Sequence, residues 1–110
     1  MKRALFIPLL MALSIQTNAG TGQGTVSKVE HGPLYGTKVF VTLVGSISGQ
    51  PACQSPSNAT FVFDTAAPGG KDILASVLLS KANQQISSYS GFNQCALWNG
   101  VEDLRWFRME

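Results

Sequence analysis

Charge is scarce in this chain, with Asp, Glu, Lys and Arg making up 13% of 110 residues, and so are histidine, with one residue, and cysteine, with two. Each scarcity closes a class of chemistry. The lone His31 stands just before Gly32-Pro33, and no Gly-x-Ser-x-Gly elbow occurs, so no nucleophile has an evident base. No cluster of His, Asp and Glu has metal-ligand spacing, and Cys53 and Cys95 form neither a zinc pattern nor a Cys-x-x-Cys motif. Gly20, Gly22 and Gly24 are too closely spaced for a phosphate-binding loop, and they precede a strand. Glu102 and Asp103, adjacent on a strand, point to opposite faces and cannot converge with Asp64 on one glycosidic bond. The expectation is a non-enzymatic protein with no cofactor and no metal. Hydrophobic residues, at 45%, exclude a disordered chain.

What is present begins with a leader. Met1-Lys2-Arg3 is a positive start, Ala4 to Ile15 is an apolar run broken by Pro8 and Ser14, and Thr17-Asn18-Ala19 supplies the small residues that a signal peptidase reads. The run falls short of the about 20 apolar residues that a membrane span takes. Residues 1–19 therefore read as a signal peptide and residues 20–110 as one exported domain, periplasmic or secreted, without a membrane span. Lys2 and Arg3 also carry the formal net charge of +2; the remaining basic residues balance the six acidic ones. A neutral mature chain has no electrostatic attraction for nucleic acid. In an oxidising compartment two lone cysteines pair, so Cys53 and Cys95 are expected to form a disulfide worth about 4 kcal/mol in loop entropy.

Along the mature chain, Gly20–Gly24 reads as a flexible lead-in. Thr25–His31 follows as a first strand, with Val26 and Val29 three apart, a phase break that predicts a bend or bulge. Thr37–Val44 is the strongest strand signal, placing Val39, Val41 and Leu43 on one face and Lys38, Phe40 and Thr42 on the other. A long connection, Gly45–Asn58, holds Cys53. Ala59–Asp64 is a third strand, Asp72–Gln85 a helix with an apolar stripe of Ile73, Leu74, Val77, Leu78 and Ala82. Ile86–Phe92 is a short serine-rich strand, and Val101–Met109 a last one, with Leu104 and Trp106 facing the core. Five strands with one helix between the third and fourth is the element order of an OB-fold-like, mainly β Greek-key barrel. A sheet in an α+β meander with the helix packed on one face is the competing architecture.

Phe61-Val62-Phe63-Asp64-Thr65 leading into the helix, then Cys95-Ala96-Leu97-Trp98 and Val101-Glu102-Asp103-Leu104, look like a family signature. With this signature, the element order and the leader, the chain resembles small exported bacterial OB-fold proteins such as the B subunits of AB-type toxins, particularly the subtilase-cytotoxin and pertussis-like group. The resemblance implies a homo-oligomer, a pentamer, that binds cell-surface glycans.

Two functions follow as expectations. The first is a glycan-binding module. Sugars need an aromatic face and amide or hydroxyl partners, and Tyr35, Ser55, Ser57, Asn58, Trp98 and Asn99 offer these from turns and loops. The alternative is a protein-interaction subunit, adaptor or inhibitor of an exported partner. An exposed Phe40 would point that way, as would an apolar strip along a strand edge or the helix.

Overall fold

The computed structural model describes residues 19–110; the leader lies outside the described residues apart from Ala19. β1 (Thr21–Glu30) and β2 (Lys38–Ser48) form an antiparallel pair joined by a single 3-10 turn at Pro33–Tyr35. β3 (Phe61–Asp64) leads to α1 (Gly70–Asn83), then β4 (Ser87–Gly91) and β5 (Glu102–Met109). The described residues are mainly β, with five strands in one sheet and one helix between β3 and β4. Pairing runs β1-β2-β3-β5-β4 and returns from β4 to β1, so no strand is left with an unpaired partner side. All pairs are antiparallel except β3 with β5, a parallel contact of two rungs, Phe61 with Glu102 and Val62 with Asp103.

The elements run where the apolar patterns run, with three differences. The first concerns β1, which begins at Thr21 rather than Thr25: the glycine-rich segment is strand, paired to β2 on one side and β4 on the other. Glycine carries no β-pattern, yet here it is what the packing requires. A Cβ at Gly22 would lie 1.8 Å from the Ser46 carbonyl oxygen, and one at Gly24 2.2 Å from that of Val44. For the same reason β2 extends to Ser48, shortening the connection expected from Gly45. The bulge read from Val26 and Val29 is present, as a register shift between Val26 and Lys28.

The second difference is in β5. Its register slips between Ser90 and Gly91, opposite Trp106 and Leu104, so Arg105 is the extra residue. The bulge reverses the phase beyond it. Leu104 is core, but Phe107 packs against that core in place of Trp106, which is half-buried with the Arg108 guanidinium 5.1 Å from its ring centroid. The expectation that Trp106 shares Leu104's face is corrected accordingly.

The third lies on α1. Ile73, Leu74 and Val77 of the expected stripe meet the core, but Leu78 is 45% exposed and Ala82 is exposed. The buried face continues instead to Ser80, whose hydroxyl accepts a hydrogen bond of 3.0 Å from Ser87 Oγ on β4. Asp72 occupies the first turn, where negative charge suits the helix dipole, and Gln84 ends the helix in a left-handed conformation.

The main core gathers Val26, Val39, Val41, Phe61, Phe63, Val77, Tyr89 and Leu104. A second, smaller core forms on the opposite face of β2 and β3, from Phe40, Val62 and Val101. This division follows from strand alternation: Val39 and Val41 point one way and Phe40 the other. The smaller core is the floor of the site described next.

Candidate functional site

Three rings from three separate segments meet over the second core. Tyr35 comes from the 3-10 turn between β1 and β2, Phe40 from β2, and Trp98 from the connection between β4 and β5. Their centroids lie 4.8 Å apart for Tyr35–Phe40, 5.0 Å for Phe40–Trp98 and 5.6 Å for Tyr35–Trp98, all edge-to-face. That geometry sets the positive edge of one ring against the negative face of the next, worth about 0.5–1.5 kcal/mol per pair beyond burial. Phe40 is buried beneath, Tyr35 is half-buried, and Trp98 is 38% exposed. Phe40 is therefore a base for the other two rings and not the exposed aromatic that would signal an interface.

Around the rings is a concavity of about 170 Å³, lined by Glu30, Tyr35, Phe40, Asn58, Ala59, Trp98 and Val101. Glu30 closes one side, its carboxylate accepting from the Tyr35 hydroxyl at 3.4 Å. Asn58 stands on the other, its Nδ2 donating to the Gly100 carbonyl at 3.3 Å. The hollow thus combines aromatic surface, a carboxylate and a carboxamide.

Two loops form its wall, and they are tied together at several points. The disulfide Cys53–Cys95 joins them, with Cα atoms 6.1 Å apart. Ser55 N donates to Gly100 O at 2.8 Å, and Glu102 N donates to Gln54 Oε1 at 2.7 Å. The β4–β5 connection is further held from below. The buried Asp103 carboxylate accepts from Ala96 N and Leu97 N at 3.2 and 3.0 Å and from Gln94 Nε2 at 2.9 Å. Glu102, fully buried on the opposite face, accepts from Asn93 N at 2.9 Å and from Gly20 N. Burial pushes the Glu102 carboxyl above the usual carboxylate range, opposed by the Gly20 and Asn93 amides and reinforced by the charge of Asp103. Both acidic side chains are consumed in holding backbone.

Of the loop residues expected to contact a ligand, the fold brings Tyr35, Asn58 and Trp98 to one hollow. Ser55 and Ser57 lie outside its lining, their hydroxyls 3.3 Å apart, and Ser55 serves the loop tie. Asn99 is exposed in the turn closed by Val101 N to Trp98 O, and also lies outside the lining. Glu30 and Phe40 are lining residues that the loop-based reading misses. Glu30 had a signal, since it ends the strand before the turn that carries Tyr35; Phe40 sat in a strand pattern that gave only its face.

A larger hollow of about 360 Å³ opens between the start of α1 and the β4–β5 connection, lined by Phe63, Ile73, Phe92, Leu97, Asp103 and Arg105 among others. It is mostly apolar around the already engaged Asp103. Among the described residues no three His, Cys, Asp or Glu side chains are grouped to hold a metal ion, and no helix is long and apolar enough to cross a membrane. No family model, curated protein or solved structure matches the chain.

Proposed function

We propose that this is an exported, non-enzymatic binding module of the OB-fold that takes a sugar at the Tyr35–Trp98 hollow. The observation that carries the reading is the convergence of Tyr35, Trp98, Glu30 and Asn58 over Phe40. A pyranose presents an apolar C–H face and a rim of hydroxyls. The rings suit the face, and the carboxylate and carboxamide suit the rim, as acceptor and donor. The position supports it too. The pairing order with its one parallel contact fits an OB-fold barrel, and such barrels bind oligosaccharides and oligonucleotides at β2–β3 and the β1–β2 and β4–β5 loops. Tyr35 and Trp98 come from those two loops. A neutral mature chain with Glu30 at the hollow favours sugar over phosphate-bearing ligands.

The test is binding of the oxidised mature protein to an immobilised glycan panel, followed by titration with tryptophan fluorescence. Trp98→Ala is expected to abolish binding while retaining the parent's circular dichroism spectrum, at a stability cost of about 1–2 kcal/mol for the lost ring contacts. Unfolding of that variant would make Trp98 a structural residue and remove it from the site; no binding to any glycan by the folded parent would overturn the sugar reading.

One observation favours the alternative, subunit-forming role alongside the first. Leu78 and Leu79 are 45% and 49% exposed on the outer side of α1, and Ile86 just beyond the helix is also exposed. These apolar side chains suit a contact with a second copy of the chain, as the pentameric toxin B subunits resembled by the sequence would require. Light scattering after size exclusion decides it: a pentamer supports the ring, and a monomer excludes it.

A further inference from the structure

Glu102 is a carboxylate at 0% exposure with no cation beside it among the described residues; their ion pair is Arg108 with Glu110, at the far end of β5. A buried charge in that state is costly unless a counter-charge reaches it. What reaches it are two backbone nitrogens, that of Asn93 at 2.9 Å from Oε2 and that of Gly20 at 3.2 Å from Oε1 and 3.1 Å from Oε2. One amide hydrogen cannot aim well at both oxygens, whereas an ammonium with three hydrogens can.

The surroundings are shaped to this contact. A Cβ at residue 20 would fall 2.5 Å from Glu102 Oε1, and one at residue 91 would fall 2.1 Å from Oε2, so the carboxylate is clasped between two glycines. The Gly20 carbonyl accepts from Gly91 N at 2.9 Å, which fixes the position of its nitrogen. Immediately before Gly20 stand Thr17-Asn18-Ala19, the small residues that end the leader.

We infer that Ala19–Gly20 is a processing bond, and that its cleavage creates a buried ion pair between the new α-ammonium of Gly20 and the carboxylate of Glu102. A signal peptidase adds one water across the bond between the Ala19 carbonyl carbon and the Gly20 nitrogen. The departing leader keeps a carboxylate, and the nitrogen, with the proton released, becomes the ammonium. Maturation itself thus supplies a counter-charge to Glu102, which also offsets the neighbouring charge of Asp103. The inference rests on the export reading and is independent of any sugar.

Two measurements test it. N-terminal sequencing of the protein recovered from an exporting host is expected to begin at Gly20. A start at another residue overturns the inference and leaves export standing, whereas an uncleaved chain overturns both. All five strands, the helix and the disulfide lie within residues 20–110. Chains starting at Gly20 and at Thr17, each with and without Glu102→Gln, are therefore compared by denaturant unfolding. The substitution is expected to lower the folded-to-unfolded ratio at least about tenfold more in the Gly20 chain, where it breaks a charge pair. Equal losses in the two chains overturn the pair. If Glu102→Gln does not fold, Nα-acetylation of the Gly20 chain answers the question with Glu102 intact. A loss of about tenfold is expected, and no loss overturns the inference.

Discussion

Asp64 and Asp103 show two ways in which a single carboxylate organises backbone here. Asp64 ends β3 and accepts from the Thr37 hydroxyl at 2.5 Å and from Ala66 N at 2.9 Å, tying the start of β2 to the turn before α1. The Thr37 hydroxyl first, then the Ala66 amide, hold its carboxyl below the usual carboxylate range. A carboxyl lowered by folding contributes stability above its unfolded pKa and loses it as the pH falls through the folded one. Asp64→Asn should therefore melt below the parent at neutral pH, with the gap narrowing as the pH drops from about 4. A gap constant across that range, in melting curves taken at stepped pH, would show that Asp64 contributes nothing through its charge. Asp103 works from a buried position, and its removal would strand the Ala96 and Leu97 amides. Asp103→Ala should cost about 2–4 kcal/mol in urea unfolding. Neither role is legible from the sequence, where Asp64 only ends a strand and Asp103 reads as half of an unproductive acidic pair. Tyr35, Asn58 and Trp98 were legible as residues of turns and loops. That they share a hollow follows only from the chain's path.

At the scale of elements, periodicity carried the reading wherever a β-branched or aromatic residue marked every second position, as in β2 and β3. It failed where side chains say least. Gly22 and Gly24 belong to a strand because the β2 backbone comes too close for a Cβ, a property of the partner and not of the glycines. In β5 one bulged residue, Arg105, exchanged the faces of Trp106 and Phe107; a two-residue period has no memory across an inserted residue. On α1 the apolar stripe was wider than the buried face. Val77 is buried in the core and Leu78 faces out, so the two adjacent residues separate packing from surface. Val77→Ala should destabilise by about 1.5–3 kcal/mol, a cavity in a close-packed core. Leu78→Glu should stay within about 0.5 kcal/mol of the parent monomer by urea denaturation. In a pentamer built on α1, that same change should reduce the mass in light scattering to that of the monomer. A pentamer indifferent to it would be assembled through another face.

For the molecule as a whole, the order of elements and with it the expectation of a Greek-key barrel could be read from the chain, but the particular pairings that close the sheet could not. Closure depends on β4 returning to β1 and on β5 lying parallel to β3, pairings that no local pattern encodes. The β3–β5 contact is the narrowest part of the circuit, with two rungs, and the disulfide lies across it, since Cys53 precedes β3 and Cys95 precedes β5. Reduction should therefore lower the melting temperature substantially, a loss of about 4 kcal/mol by loop entropy. A melting curve unmoved by reductant, with both thiols shown free, would contradict this. The same placement bears on timing. The two halves of this seam are the third and the last strand to be synthesised, and the bond that staples them forms only under oxidising conditions. On the proposed export route, a chain crossing a membrane unfolded would carry this seam thin and unstapled through the reducing cytosol. Closing the staple would then belong to the oxidising compartment that the proposed export reaches.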